Sequence, residues 1–318
     1  LLIVFVVWNF RFQVIIEEKP VNAVSVAEED EEEDKASRCA FLFSNNVSVN
    51  DHHEFKRLTP LRTTDYFLSL NNHSGQLCQA FKRDLFPTKV PLTTEELAFP
   101  LAFAISVFQS INQVARLLRL IHRPHNFYVI HVDQKSPLEF YEAVQEIAKC
   151  FDANVAVVPR NESIKVVWGD YTVLEQELVS VRMLLQAGKW RYLINLTGQE
   201  MPLKTNLELV QALRMLNGSN IVEATFKERF KFRIPRRRAS FQVTWLKGAV
   251  HTALLREFVE FMLYDKKAIE VRDLLFMYAY HRHPDEQFYP TLAYNPQLGA
   301  PRACLGLQKD GKVDQEFN

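Results

Sequence analysis

An alternation of apolar, strand-length runs with amphipathic helices over residues 101–224 constrains the fold of this chain more than any other feature. LAFAISVF and NFYVIHVD are continuous apolar runs, and the segment between them has apolar residues at helical spacing. Six further segments continue the alternation: predicted helices at 138–149, 171–188 and 206–216, and predicted strands at 153–158, 190–197 and 219–224. This pattern predicts an α/β fold with a mainly parallel sheet flanked by helices on both faces.

A sheet of this kind binds its ligands beyond the carboxyl ends of the strands. The residues predicted to lie there are Phe108, Gln109, residues 131–135 and residues 198–201. We therefore expect the functional site at this edge. No internal repeat or low-complexity linker interrupts residues 99–295, which indicates one domain.

Charge and motif content argue against several classes of function. Lys+Arg and Asp+Glu both total 38, so no net charge attracts the whole molecule to nucleic acid. The chain has no G-x-G-x-x-G, P-loop or G-x-S-x-G motif, which weakens dinucleotide, kinase and hydrolase interpretations. An Asp-x-Asp motif is also missing from the strand region, so a metal-dependent nucleotide-sugar site has no obvious ligands there.

The amino-terminal segment suggests a tether to a membrane. LLIVFVVW at residues 1–8 is apolar but shorter than the roughly 20 residues that span a bilayer. It is the stub of a signal-anchor or a buried strand. The acidic block EEDEEED at residues 28–34, which is expected to stay solvated, favours the stub over an amino terminus without a membrane role. We divide the chain into the stub at 1–8, a stem and domain-entry segment at 9–75, and a compact domain at 76–318.

Two carboxylates are candidates for chemistry. Asp133 ends a predicted strand, where it can bind a nucleoside's ribose or base, or accept hydrogen bonds in a turn or at a helix start. Asp285 and Glu286 follow Pro284, and this is also ordinary chemistry for the start of a helix. That explanation accounts well for Asp285. Glu286 is the candidate general base.

Residues 226–238, FKERFKFRIPRRR, contain seven basic side chains. Aromatic and charged residues alternate here with a period of two, as on an edge strand with one buried face. Three interpretations stay open: a solvated strand and loop, a contact for an anionic substrate, and a nucleic-acid surface.

Several sequence segments, in a fixed order along the chain, resemble those of a known family. The most specific are YLINLTGQEMPLKTN at 192–206 and HPDEQFYPTL at 283–292. With the segments around them, they resemble the core-2/I-branching β-1,6-N-acetylglucosaminyltransferases of glycosyltransferase family 14, which also includes peptide O-xylosyltransferases. The resemblance covers residues 76–305 and makes 76–318 the expected catalytic domain.

The resemblance implies a GT-A-type fold and an inverting, single-displacement reaction without a metal or other cofactor. N-acetylglucosamine would pass from UDP-GlcNAc to the 6-hydroxyl of a glycan that contains Gal or GalNAc. Motif by motif, it assigns Glu286 as the catalytic base. It further assigns donor contacts to Ser106, Val107, Phe108, Asp133, Gln134 and Lys135, and acceptor contacts to Glu223, Lys227 and Arg229.

The four cysteines are widely spread, which fits two disulfides or four inert thiols. Five glycosylation sequons, at Asn46, Asn72, Asn161, Asn195 and Asn217, favour an oxidising compartment, with Asn195 expected to be buried. The resemblance implies a bridge between Cys78 and Cys150. It also implies a Golgi membrane protein with a luminal catalytic domain. The partners of Cys39 and Cys304 stay open.

The resemblance further implies that relatives continue past Asn318, through basic residues that hold the UDP diphosphate. We therefore expect either a fragment of a longer protein or a truncated form with impaired donor binding. The expected partners are a UDP-sugar, a glycan acceptor and a membrane, and no nucleic acid. Two rivals stay open: a peptide O-xylosyltransferase, and a catalytically silent relative that binds glycans.

Overall fold

The computed structural model describes residues 62–72, 75–85, 91–151, 153–225, 232–277 and 282–304. The α-helices are α1 Thr64–Leu68, α2 Gln76–Leu85, α3 Thr94–Leu97, α4 Ile111–Ile121, α5 Leu138–Lys149, α6 Thr172–Ala187, α7 Asn206–Met215, α8 Arg256–Tyr264, α9 Lys266–Met277 and α10 Asp285–Ala293. The strands are β1 Leu101–Val107, β2 Phe127–Val132, β3 Val155–Val157, β4 Tyr192–Thr197, β5 Ile221–Val222 and β6 Thr252–Leu255.

The strands form one mixed sheet in the order β3-β2-β1-β4-β6-β5. The first four are parallel, whereas β6 is antiparallel to both β4 and β5. This confirms the predicted α/β fold with a mainly parallel sheet flanked by helices. The strand expected at 219–224 shrinks to Ile221–Val222, and β6 was not predicted, because TALL runs directly into a helix without a turn residue between them.

Helices cover both faces of the sheet, so its strands are buried on two sides. Side chains alternate between the faces of a strand. On β1, Phe103 and Ile105 pack in a cluster with α4 and α5, while Ala102 and Ala104 pack in a second cluster with α6, α8 and α10. Burial on both faces explains why the strands are continuous apolar runs rather than alternating ones.

Part of the segment expected to be an irregular stem belongs to the folded domain. Phe67 of α1 and Leu70 after it are fully buried in the first cluster, with Phe81 of α2 beside them. Helix α1 packs on α5. The domain therefore includes residues before position 76, since their apolar side chains are part of its core. The stub at 1–8 lies outside the described residues, as does most of the stem.

A disulfide joins α2 to the end of α5. Cys78 and Cys150 are bonded, with 5.3 Å between their Cα atoms, as the resemblance implied. Cys304 is exposed and forms no disulfide with a described residue, and Cys39 lies outside the described part of the chain. None of the helices within the described ranges is long and apolar enough to cross a bilayer.

We expect the double variant Cys78→Ser/Cys150→Ser to lose about 2–5 kcal/mol of unfolding free energy. The bond closes a loop with a sequence separation of 72, so its loss returns much conformational freedom to the unfolded chain. Urea unfolding followed by circular dichroism measures the change. Cys304→Ser is the matched control and should unfold like the parent. An unchanged midpoint in the double variant would contradict a stabilising role.

Candidate functional site

The carboxyl ends of β1, β2 and β4 lie along one edge of the sheet because these strands are parallel. The antiparallel strand β6 begins at this edge, where the Thr252 amide donates to Asn195 Oδ1 at 2.8 Å. Strand β5 is antiparallel to β6, so it ends where β6 begins, and Glu223 directly follows it at this edge. The topology therefore brings three of the predicted groups, at 106–108, 133–135 and 223, to one border of the sheet.

The end of β1 is held by polar contacts. Ser106 Oγ donates to Gln176 Oε1 at 2.6 Å, and the Val107 carbonyl accepts from the Asp133 amide at 2.9 Å. Val107 has its side chain in the core, so only its backbone faces the loops. The Phe108 ring is 52% exposed. Of the three predicted donor contacts on β1, Phe108 thus offers an accessible side chain and Ser106 a partly accessible one.

The loop after β2 is a tight turn organised by Asp133. Its Oδ1 accepts the Lys135 amide at 2.8 Å, and its Oδ2 lies 3.5 Å from Lys135 Nζ. Asp133 therefore has the turn-acceptor role that was one of its two interpretations. Arg160, which the sequence did not single out, donates to the Asp133, Gln134 and Ser136 carbonyls. These contacts fix a preformed loop at the carboxyl end of β2.

Glu286 lies in the first turn of α10, and its carboxylate is held between two cations. Oε2 is 2.5 Å from Arg233 Nη1 and 3.7 Å from Lys247 Nζ. Its side chain is 24% exposed. Oε1 has no hydrogen-bond or ion-pair partner among the described residues. Within that part of the chain, the carboxylate therefore has one oxygen fixed by basic side chains and the other without a partner.

Gly248 contacts both Glu286 and the residue that follows β5. Its amide donates to the Glu286 carbonyl at 2.7 Å, next to a bridge between Thr225 and Lys247. A Cβ at position 248 would lie only 2.0 Å from the Glu223 carbonyl oxygen. Glycine is therefore required for this close approach, which brings Glu223, Lys247 and Glu286 together.

The basic segment is only partly described. Lys227 and Arg229 lie in residues 226–231, outside the described part of the chain. Residues 232 and 233 form a 3₁₀ turn rather than the edge strand that the alternation suggested. The Arg233 side chain is largely buried against Glu286, so residues 232 and 233 turn toward the site instead of extending a sheet.

Beneath Glu286, two buried acids lie between α6 and α10. Glu177 of α6 accepts from Asn195 Nδ2 at 3.2 Å, and burial raises its pKa to about 7, although Tyr289 and Asn195 oppose the rise. Burial, then the charge of Glu286, raise the pKa of Asp285 to about 6. Asn195 also donates to the Val250 carbonyl, so this group joins β4, β6 and the two helices. Asn195 is buried, as expected.

Because the folded-state pKa of Glu177 is raised above its ordinary 4.5, the folded protein holds this proton more tightly than the unfolded chain. Glu177 therefore adds to the unfolding free energy a contribution that should fall as pH rises from about 4.5 to about 7. In Glu177→Gln this fall should be smaller, since the amide cannot ionise. Urea unfolding at about pH 5 and about pH 7.5 tests this, with Glu175→Gln on the same helix as control. An equal fall in parent and Glu177→Gln would contradict the prediction.

An exposed aromatic ring lies between the β2 loop and α10. Trp168 is 77% exposed, and its ring meets His283 edge-on at 4.6 Å between centroids. The His283 amide donates to the Gly169 carbonyl at 3.0 Å, and Lys135 Nζ donates to the Val166 carbonyl. The loop that carries Trp168 is thus fixed at both ends to site residues, yet its ring is left open to solvent.

Within the described ranges, no group of three or more His, Cys, Asp or Glu side chains is arranged to hold a metal ion. Among the described residues, a carboxylate and a histidine meet at this edge as a pair. His251 Nε2 lies 3.0 Å from Glu200 Oε1, while Glu200 Oε2 accepts the Thr197 amide.

The sequence that forms the sheet and this edge matches a known protein family. The model of the family described as "Core-2/I-Branching enzyme" matches residues 101–311, about two thirds of the chain. The chain belongs to the Core-2/I-Branching enzyme family. The matched region contains every strand and each of the site residues described above.

Curated relatives carry a name from the same family. The chain is 33% identical over 232 residues to a rat protein named beta-1,3-galactosyl-O-glycosyl-glycoprotein beta-1,6-N-acetylglucosaminyltransferase 3, covering 68% of this chain and 52% of the relative. Its human namesake is 31% identical over 266 residues, covering 78% and 57%. A bovine herpesvirus 4 protein of that enzyme name is 37% identical over 189 residues, covering 58% and 41%. The chain spans about half the length of these relatives.

Sequence reasoning missed four residues of this site. Arg160 and Lys247 are isolated basic residues, and nothing local distinguishes them from solvated ones. Glu177 did carry a signal, since it lies among Leu174, Leu178 and Val181 on the apolar face of its helix. Trp168 follows an apolar pair, so its exposure could not be inferred from the sequence.

Proposed function

We propose that this chain carries the catalytic site of an inverting β-1,6-N-acetylglucosaminyltransferase that transfers N-acetylglucosamine from UDP-GlcNAc to the 6-hydroxyl of a Gal- or GalNAc-containing glycan. The observation that carries the proposal is the Glu286 carboxylate at the sheet edge: one oxygen is held by Arg233 and Lys247, and the other has no partner among the described residues. Family membership supports a glycosyltransferase activity at this position. The linkage and the donor rest on the relatives' names and the resemblance.

In the proposed reaction, Glu286 Oε1 accepts the proton of the acceptor's 6-hydroxyl. The hydroxyl oxygen forms a bond to C1 of N-acetylglucosamine as the bond from C1 to the UDP oxygen breaks, and UDP leaves with the electron pair. Attack from the face opposite UDP inverts the configuration at C1. Arg233 and Lys247 hold the base in place, which supplies the fixed geometry that general-base catalysis requires.

Donor and acceptor are proposed to meet along the strand ends. The loop at residues 133–135 and the exposed Phe108 ring would contact the UDP-sugar, and Glu223 would contact the acceptor beside Glu286. In support, the β2 loop is already fixed by Arg160, and Gly248 brings Glu223 next to the base. We propose that no metal ion takes part, on the strength of the resemblance and the missing Asp-x-Asp motif.

We also propose a Golgi location with this domain in the lumen. The supporting observations are the disulfide between Cys78 and Cys150, which fits an oxidising compartment, and the exposed sequons. Fractionation of cells expressing the protein, combined with protease protection of intact vesicles, tests both parts of this statement. Cleavage of the domain by protease outside sealed Golgi vesicles would contradict it.

The direct test is turnover of UDP-GlcNAc with a core-1 disaccharide acceptor in the presence of EDTA. Transfer without metal supports the proposal, and mass spectrometry with linkage analysis identifies the product. Transfer of xylose to a peptide, with no transfer of N-acetylglucosamine, would favour the xylosyltransferase alternative. Binding of the disaccharide without any turnover would favour a silent glycan-binding protein.

Trp168→Ala should raise the KM for a sugar substrate several-fold with little change in thermal stability. The exposed ring beside α10 offers a flat apolar face, and loss of such a contact costs about 1 kcal/mol. Steady-state kinetics at varied donor and varied acceptor show which substrate is affected. Trp168→Phe is the matched control and should retain most of the affinity. Unchanged KM values for both substrates would contradict the predicted contact.

A further inference from the structure

The turn after α7 carries one of the five sequons, Asn217-Gly218-Ser219. Asn217 and Ser219 are both exposed, and Asn217 and Gly218 have φ values of 48° and 83°. Backbone bonds from Asn217 to the Arg214 carbonyl and from Ser219 to the Leu216 carbonyl, both 3.0 Å, fix this turn. Its two recognition side chains therefore project into solvent from a defined backbone.

Two other sequons are fully described, and both are obstructed. The Asn195 amide is buried and donates to Glu177 Oε2 and to the Val250 carbonyl, so a sugar there would break the core. In the third sequon, Asn161 is exposed but Ser163 is 4% exposed, with its hydroxyl donating to the Pro159 carbonyl. Asn161 also adjoins Arg160, which clamps the β2 loop.

A cavity of about 520 Å³ lies beside Asn217. Phe99 and Tyr192 line it, stacked at 6.0 Å between ring centroids, and Arg191, Glu257 and Arg302 supply polar groups. An apolar ring face with a few hydrogen-bonding groups is the usual surface for a sugar, and the cavity has the volume of a small-ligand site. It lies at the amino ends of the parallel strands, because Tyr192 begins β4. The proposed catalytic site is at the opposite edge.

We propose that Asn217 is an N-glycosylation site and that the first sugars of its glycan pack into the cavity lined by Phe99 and Tyr192. The glycan would cover the partly exposed Phe99 ring, which stacks on the buried Tyr192, and stabilise the fold without reaching the catalytic edge. This inference rests on the luminal location put forward with the proposed function. The chemical class of the ligand is a covalently attached N-acetylglucosamine-based glycan.

Glycan occupancy at Asn217 is tested with the chain fused to a cleavable signal peptide. The signal peptide directs the chain into the lumen, so the test does not depend on the protein's natural location. Peptide mass spectrometry after enzymatic removal of N-glycans should show occupied Asn217 and unmodified Asn195 and Asn161. Asn217→Gln and Ser219→Ala should each abolish that modification. An unmodified Asn217 in luminal protein, or a glycan on Asn195 in folded protein, would overturn the assignment.

Packing into the cavity is tested by comparing Ser219→Ala with its parent in two backgrounds. With Phe99 present, loss of the glycan should lower Tm by about 2–4 °C. In Phe99→Ala the same loss should have a clearly smaller effect, because the sugar has lost its ring face. Tunicamycin-treated cells attach no N-glycan. The Tm difference between Ser219→Ala and its parent from such cells measures the effect of the Ser219 side chain itself and is subtracted. Equal losses in both backgrounds would overturn the packing.

Transfer activity separates this inference from the proposed function. Neither Asn217 nor Ser219 touches the sheet edge that carries Glu286, so both glycan-free variants should turn over UDP-GlcNAc like the parent at a temperature where all are folded. A glycosylated but inactive parent would refute the proposed function alone. An active parent with an unmodified Asn217 would refute this inference alone.

Discussion

Glu286→Gln should reduce kcat for transfer from UDP-GlcNAc by about 10²-fold or more, with a small effect on KM. The amide preserves the size of the side chain, and the Gly248 bond to the backbone carbonyl is unaffected, but the amide cannot accept the proton of the acceptor hydroxyl. The side chain is partly exposed, so we expect little change in Tm. Initial rates at saturating donor and acceptor, together with a thermal melt, measure both quantities.

The matched control is Glu260→Gln on α8. That carboxylate is also paired with an arginine, Arg256, at 2.9 Å, but its side chain is 48% exposed and its helix follows the end of β6 far from the Glu286 edge. It should have the parent's kcat. Retention of more than about a tenth of parental kcat by a folded Glu286→Gln protein would exclude Glu286 as the general base.

Gly248→Ala should also cost about 10²-fold in activity, although residue 248 offers no catalytic group. An added Cβ would lie 2.0 Å from the Glu223 carbonyl oxygen and 2.9 Å from its carbon. These are backbone atoms, so relief requires the end of β5 to move away from the start of α10. Misplacement of reacting groups by about 1 Å can reduce a rate 10²-fold. Overpacking should also lower the unfolding free energy by about 1–3 kcal/mol.

Gly75→Ala is the contrasting control. Gly75 has a φ of 74° but no atom within 4 Å of an added Cβ, so its substitution strains the backbone without a clash. It should cost about 1 kcal/mol and leave kcat unchanged. Kinetics at a temperature where both variants are folded separate misplacement from unfolding. A Gly248→Ala protein with parental kcat would show that the close approach of Glu223 and Glu286 does not matter.

Both predictions concern contacts between segments that are distant in the sequence. Glu286 meets Arg233 53 residues away, and Lys247 approaches it from a third segment. Acidic residues are common in the first turn of a helix. The start of α10 therefore accounts for Asp285 and Glu286 without a catalytic role. Only the basic side chains around Glu286 distinguish a candidate base from an ordinary residue at a helix start.

The parallel part of the fold was predictable from local sequence patterns. The strands β1 to β4 and the helices between them follow from local hydrophobic periodicity, because residues buried on both faces of a sheet must be apolar. The location of a site beyond the strand ends followed as well, since parallel strands align their carboxyl ends. The resemblance to the family implied the Cys78–Cys150 bridge, which the structure contains, and it predicts Glu286 as the base.

The surroundings of those residues depend on how distant segments pack together. Strand β6 is four residues long and pairs antiparallel with β4 and β5, and so short a segment has no periodicity to reveal it. Yet β6 sets where Lys247 and Gly248 lie. The burial of Glu177 and the exposure of Trp168 likewise depend on which segments pack against them. Periodicity encodes which face of an element is buried, whereas the neighbours of that face are fixed by the pairing of the whole sheet.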